Sequence, residues 1–464
     1  MDTNRFLTLV TTPLFIFAVG CSTNSQVTKT QINYSVDHLP GIARGETTSP
    51  IALSKSPTLD ECILYALSES REVRSAYSLY QAALEKAPQV SALPEPRLSY
   101  GYFINAIETR VGPMRHKVGL AQPIPWFGKL SLREEVANAE AKAAYYSFLV
   151  RKNKLVSEVT KSFYELAYLN QSKTITEANL ELLKRWEQVL AQRYRSQVGT
   201  QANLIKAQVE LGKLEDKLKQ INEFENPLKA QLNSLLNRPT NSPISLRVSA
   251  LEGSLTSDTF SKKQNLEEIL KENNPELQLL EALTVAREHG IELAEKEFYP
   301  DFSIGANYTV IGDRDQAGSD SGDDGLAAVF SISIPINFSK YRAGLREAKH
   351  KRTATRQMVE AKQLQLSSVL ARNLFELSDS KRRIDLYKRT LVPKAEEALE
   401  STFTAFESGE SSFLDLLDTE RELLEFQLML SRSQADLAIT ESQLRSLLGD
   451  YSEIQPSSTG AQNE

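Results

Sequence analysis

The chain states its pattern twice, and this doubling limits the fold more than any other feature. Pro96-Arg97-Leu98-Ser99-Tyr100-Gly101 is echoed by Pro300-Asp301-Phe302-Ser303-Ile304-Gly305, and Trp126-Phe127-Gly128-Lys129 by Asn337-Phe338-Ser339-Lys340. Val198-Gly199 returns as Ser408-Gly409, and Leu235-Leu236-Asn237-Arg238 as Leu447-Leu448-Gly449-Asp450. The offset stays near-constant, at about 204 to 212 positions, which marks a duplicated structural unit. Each unit reads as helix, strand pair, very long helix, turn and second helix. The expected organisation is a first repeat over 57–240, a linker over 241–262 and a second repeat over 263–450. Strand pairs are expected at 97–122 and 301–336, and helical hairpin tips near Gly199 and Gly409.

Four segments alternate with period two. In 97–104, Leu98, Tyr100, Tyr102 and Ile104 share one face, against Arg97, Ser99 and Gly101. In 302–310, Phe302, Ile304, Ala306, Tyr308 and Val310 oppose Ser303, Gly305, Asn307 and Thr309. Segments 117–122 and 328–334 repeat the pattern more briefly. An aromatic and aliphatic face backed by a small, polar one suits a sheet between lipid and water, although a half-buried soluble sheet alternates in the same way. A spanning sheet must close on itself, and small single-chain barrels use about eight strands. Four strands therefore imply several copies sharing one barrel. Polar loops are expected at 105–115 and 312–325. The second sets Asp313, Asp315, Gly318 and Asp324 at spacings faintly like a calcium loop, with Ala317 at a ligand position and no closing glutamate. It reads either as a weak calcium site or as a solvated outer loop.

Residues 130–196 contain neither proline nor glycine, enough for about 100 Å of unbroken helix. Apolar residues recur by sevens, most cleanly at Leu416, Leu423, Leu430, Leu437 and Leu444, as for helices packed antiparallel across a glycine turn. Pro227 and Pro393 are expected to kink or interrupt their helices.

The N-terminus differs in character. Arg5 precedes a mostly apolar stretch ending in Ala18-Val19-Gly20-Cys21, which reads as a signal peptide over 1–20. The cysteine after small residues resembles a bacterial lipobox, making Cys21 the expected lipidation site (palmitate included), followed by a tether over 21–56. With only two cysteines in the chain, an acylated Cys21 leaves Cys62 without an internal partner, so Cys62 is expected to be a small buried hydrophobe. The tail over 451–464 is polar and expected to be disordered. A net charge of −6 gives no reason to expect nucleic-acid binding.

Together these features resemble the TolC-like outer-membrane efflux proteins over essentially the whole chain after residue 56. Leu120-Ala121-Gln122-Pro123-Ile124-Pro125-Trp126-Phe127-Gly128-Lys129-Leu130 looks like the strand-to-helix junction of the heavy-metal (Cus/Czc-type) branch, with Phe127 in place of a second proline. Arg195, Val198, Gly199 and Thr200 resemble the tip motif that docks on a periplasmic adaptor. Gly409 marks the second tip, which lacks the arginine. Asp415 and Asp418 resemble the paired aspartates of the closed periplasmic mouth; on residues alone they also read as solvated acids near a helix N-terminus.

The resemblance implies a mainly α fold with a membrane β-barrel portion. It implies a homotrimer sharing a 12-stranded barrel above an α-helical tunnel, anchored in outer-membrane lipid with a long periplasmic extension. The implied partners are a periplasmic adaptor protein and an inner-membrane pump, and the implied function is a passive exit duct for small molecules, heavy-metal cations or, as in type I secretion, polypeptides. The rival reading is a lipid-anchored coiled-coil scaffold. No catalytic motif, cofactor or metal site is expected: His38, His116, His289 and His350 are scattered, and none stands with Cys, Asp or Glu at ligand spacing on one element.

Overall fold

The computed structural model describes residues 53–246, 251, 265–314 and 321–449. The signal peptide, Cys21, nearly all of the tether, most of the linker, the tail, and loop residues Asp315, Ala317 and Gly318 lie outside the described residues.

The element order is itself doubled. Helices α1 (Leu59–Glu69), α2 (Arg71–Leu84) and α3 (Lys86–Ser91) lead into strands β1 (Arg97–Thr109) and β2 (Gly112–Ile124). Helices α4 (Lys129–Arg195) and α5 (Gln201–Leu235) follow. Helices α6 (Leu266–Asn273) and α7 (Pro275–Lys296) then lead into β3 (Asp301–Ile311) and β4 (Gly325–Ser333). Helix α8 (Phe338–Leu386), a π turn (Tyr387–Leu391), α9 (Val392–Ser408) and α10 (Phe413–Leu448) complete the second copy.

The strands form one antiparallel sheet in the order β1-β2-β3-β4, so the two copies are joined by the β2–β3 ladder. Register carries the alternation across the sheet. Leu98 pairs with Leu120, Leu120 with Ala306 and Ala306 with Ala328. One residue along, Ser99 pairs with Gly119, Gly119 with Asn307 and Asn307 with Ala327. Directly opposed residues share a face, so the apolar stripe is continuous over four strands. It is also uncovered: Leu98 is 75% exposed, with Tyr100, Ile304, Leu326 and Phe330 similarly open. On the other face a Cβ added to Gly119 would lie 2.4 Å from Asn307 Oδ1 and 2.6 Å from Ser99 Oγ, so small residues let the polar side pack closely.

The loop expected at 105–115 is corrected. Both strands run on through it to a two-residue turn at Arg110 and Val111, with a register shift between Tyr102 and Ile107. That irregularity breaks the period-two pattern and makes continuing strand resemble loop.

Helix α4 is a single 67-residue α-helix, and at 1.5 Å per residue it spans about 100 Å. It packs against α2, α5, α7 and α10. The heptad leucines of α10 point inward, with Leu416 and Leu444 fully buried and Leu423 and Leu437 nearly so. They contribute to two cores. One holds Leu183, Trp186, Ala207, Leu214, Phe413 and Leu416, and the other Leu370, Leu377, Leu437 and Leu444. Cys62 is fully buried, and that burial pushes its thiol up to about 12.

The two prolines behave differently. Helix α5 continues through Pro227, so of the two expected outcomes interruption does not occur there. Pro227 and Glu223 are both exposed residues, so the carbonyl that loses its donor lies on the solvent side of the helix, where water can replace it. Pro393 follows the π turn, in which the Val392 N–H donates to the Tyr387 carbonyl; the wider ring absorbs the bond that Pro393 cannot make.

Candidate functional site

The hairpin tips bring together residues from both copies. At the first tip the Val198 and Gly199 N–H groups both donate to the Arg193 carbonyl at 3.0 Å. A Cβ on Gly199 would stand 3.1 Å from Arg193 Cβ and 3.3 Å from the Tyr194 nitrogen, so glycine here meets a need for space. Thr200 caps α5 through its hydroxyl, which accepts from the Asn203 N–H. Arg195 is exposed and Val198 is 79% exposed. At the second tip Gly409 ends α9 with φ +86°, a left-handed conformation that favours glycine, and its Cβ position is open.

Sequence reading singled out Arg195, but the residue that ties the tips together is Arg193. Its guanidinium donates to the Phe406 carbonyl at 3.2 Å and the Glu407 carbonyl at 3.0 Å. It also stacks 4.6 Å above the Phe406 ring. Trp186 on α4 stacks on Phe403 of α9, with ring centroids 6.2 Å apart. No local spacing signals a contact between residues more than 200 positions apart.

Asp415 and Asp418 are both exposed but differently engaged. Asp415 closes a capping box at the start of α10: its carboxylate accepts from the Ser412 hydroxyl at 2.7 Å, the Ser412 N–H at 3.0 Å and the Ser411 hydroxyl at 3.2 Å. Led by the Ser412 hydroxyl, these donors hold its carboxyl below the usual range. Asp418 accepts from Arg421 at 3.1 Å, and Arg421 also bonds Glu210 on α5. Lys213 meets Glu210 at 3.2 Å. The Arg421 hydrogen bond keeps the Glu210 carboxyl low.

Glu420, absent from the sequence reading, lies behind this network. It is 1% exposed, and among the described residues neither carboxylate oxygen has a hydrogen-bond partner. Burial, reinforced by the charge on Glu210, pushes its carboxyl up to about 7 against the opposing pull of Arg421 and Lys217. Its neighbours Asp418 and Arg421 mask it in the sequence as one more solvated acid.

The strand-to-helix junction is a second constellation. Gly128, at φ +85°, turns the chain into α4. Lys129 is 1% exposed; its ammonium donates to Asp301 Oδ1 at 2.9 Å and the Tyr299 carbonyl at 3.2 Å, and lies 3.5 Å from Glu297. The Trp126 N–H donates to the same Asp301 oxygen at 2.8 Å, and its indole stacks on Tyr299 at 5.1 Å. The first copy's junction is thus built around the start of the second copy's strand. In the 312–325 loop, Asp324 accepts from the Ile311 N–H and the Tyr308 hydroxyl, so its carboxylate is engaged within the loop.

The reading of the histidines is corrected. His289 and Glu292 stand one turn apart on α7, and Glu135 of α4 approaches the same imidazole. The i,i+3 spacing was present in the sequence, but only packing supplies the third residue. Among the described residues no helix is long and apolar enough to cross a membrane.

Comparison with known proteins supplies the wider context. Residues 266–450 match the family described as outer membrane efflux protein. Nodulation protein T of Rhizobium leguminosarum bv. trifolii is 20% identical over 397 residues, covering 82% of this chain and 83% of its own length. Cobalt-zinc-cadmium resistance protein CzcC of Cupriavidus metallidurans is 21% identical over 342 residues, covering 73% and 77%. The crystal structure of CusC, a transmembrane channel, superposes with a TM-score of 0.71 at 18% identity, covering 88% of this chain and 96% of that one.

Proposed function

We propose that this chain of the outer membrane efflux protein family is the passive outer-membrane duct of a tripartite efflux system. One observation carries the reading: a four-stranded sheet with a continuous uncovered apolar face and two edge strands, β1 and β4, at its ends. Exposed edges and a large exposed apolar patch are costly in water, and open edges are costly in lipid. Three copies joined edge to edge would close a 12-stranded barrel and turn the apolar stripe to lipid. Lipidation at Cys21 would add an anchor in the same membrane.

In such a homotrimer six hairpins would surround the tunnel. The exposed Arg195 and Val198, with Gly199, Thr200 and Gly409 shaping the turns, would meet a periplasmic adaptor linked to an inner-membrane pump. Asp415 and Asp418 would place six carboxylates around the mouth, a ring that favours cations. Similarity to the cobalt-zinc-cadmium resistance protein CzcC favours heavy-metal cations as cargo, with small molecules as the alternative.

Native mass measurement in detergent tests the assembly. A trimer that survives mild heating is expected. A Cys21→Ala variant that is a soluble monomer would instead favour a lipid-anchored scaffold. Deleting the gene should sensitise cells to zinc or cobalt if cations are the cargo; unchanged metal tolerance with raised drug sensitivity would redirect the cargo to small molecules.

A further inference from the structure

We infer that Glu135, His289 and Glu292 form a binding site for a divalent transition-metal ion of the zinc type, clamping α4 of the first repeat to α7 of the second. One ligand atom from each of the three lies within 4.8 Å of the others. His289 Nδ1 is 3.2 Å from Glu135 Oε2 and 4.0 Å from Glu292 Oε2. Ligands about 2.0–2.1 Å from a tetrahedral ion stand roughly 3.3 Å apart, so the closer pair already fits and Glu292 needs only a modest side-chain adjustment.

Three features argue for an ion rather than a chance cluster. First, His289 Nδ1 is shut off from solvent yet, among the described residues, makes no hydrogen bond of acceptable geometry, despite the carboxylate 3.2 Å away. A ring nitrogen close to two carboxylates and without a hydrogen bond is the arrangement a metal would complete. Second, the neighbouring cations are committed elsewhere. Arg287 faces Glu140, Arg133 faces Glu297 and Arg352 faces Glu288. Among the described residues, neither Glu135 nor Glu292 has a lysine or arginine partner. Third, the Ser131 hydroxyl donates to Glu135 Oε1 at 3.4 Å, which leaves Oε2 directed at His289. Such outer contacts orient metal-binding carboxylates.

The donor set selects the metal. One imidazole and two carboxylates suit zinc, cobalt(II), nickel or copper(II), whereas calcium and magnesium take oxygen donors alone. Both glutamates keep exposed surface, so water can fill the remaining position. Because the ligands come from both copies, the ion would fasten the repeats together near the strand-to-helix junction. The site depends neither on the duct function nor on the nature of the cargo.

Calorimetry with zinc chloride, on the full chain purified in detergent without a histidine tag, tests the site, alongside the absorption spectrum after cobalt(II) addition. One zinc per chain is expected, with a cobalt spectrum typical of four-coordinate binding and no competition from excess magnesium. His289→Gln and Glu292→Gln should each weaken zinc binding by about tenfold or more, since even outer-shell losses reach that range. Glu295→Gln, an exposed change on the same helix, should leave it unchanged, and circular dichroism should show all variants folded. If the wild-type chain binds no zinc, or if both folded ligand variants bind as the wild type does, the site is refuted and His289 is only a polar neighbour of the two glutamates.

Discussion

The two repeats share a plan but not a mechanical character. In the first, α4 runs unbroken for 67 residues, and Lys129 at its start is buried against Asp301 and Tyr299. In the second, the matching path is divided into a 49-residue α8, a π turn and a 17-residue α9, and the equivalent Lys340 is exposed. The first copy is a strut fixed at its root. The second carries the helix interruption, the aspartates absent from the first (where Ile205 and Gln208 stand) and the buried Glu420. Duplication supplies two equal arms, and the departures from equality concentrate where an arm could move.

The largest expected effect tests the roots. Lys129→Ala leaves Asp301 and the Tyr299 carbonyl without their buried donor and should destabilise the fold by about 3 kcal/mol, read from the denaturant midpoint in detergent. Lys340→Ala should change stability by less than about 0.5 kcal/mol. Equal losses would erase the contrast.

Next comes pH. Glu420 titrates near 7 in the folded chain, above its ordinary range, so the folded state holds the extra proton. The associated stability is fully present below the unfolded carboxyl value of about 4.5 and is lost as pH rises toward and through about 7. Glu420→Gln should therefore flatten stability across that window and raise it at pH 8 by about 2 kcal/mol. A pH profile that keeps its wild-type slope in the variant would contradict the account.

A smaller effect separates the two tips. Gly409→Ala meets open space but a left-handed backbone, so it should cost about 1 kcal/mol, with asparagine milder. Gly199→Ala meets the Arg193 Cβ and the Tyr194 nitrogen, contacts that survive shortening of Arg193, so its cost should be the same with and without Arg193→Ala. A cost that falls in the double variant would mean the crowding lies at the outer end of the Arg193 side chain instead.

How much of this was legible in the sequence follows the range of each interaction. The strand faces, the unbroken α4 and the α10 leucines depend on local periodicity and were readable. Strand continuing past Tyr102 was not, because a register shift hides the alternation. Nor was the choice between a kink and an interruption at Pro227, since tolerance there depends on the surroundings of the carbonyl one turn back. At the site, the tip glycines and aspartates were visible as motifs. Arg193 with Phe406, Lys129 with Asp301, and Glu135 with His289 each join residues more than 150 positions apart, and no local pattern encodes such pairs.

Single-channel recording in planar bilayers tests the central claim most directly. The purified chain should insert as a cation-selective pore of low conductance, and Asp415→Asn with Asp418→Asn should raise the conductance and weaken the selectivity. A folded, membrane-inserted chain that passes no current, or a pore indifferent to both substitutions, would contradict it.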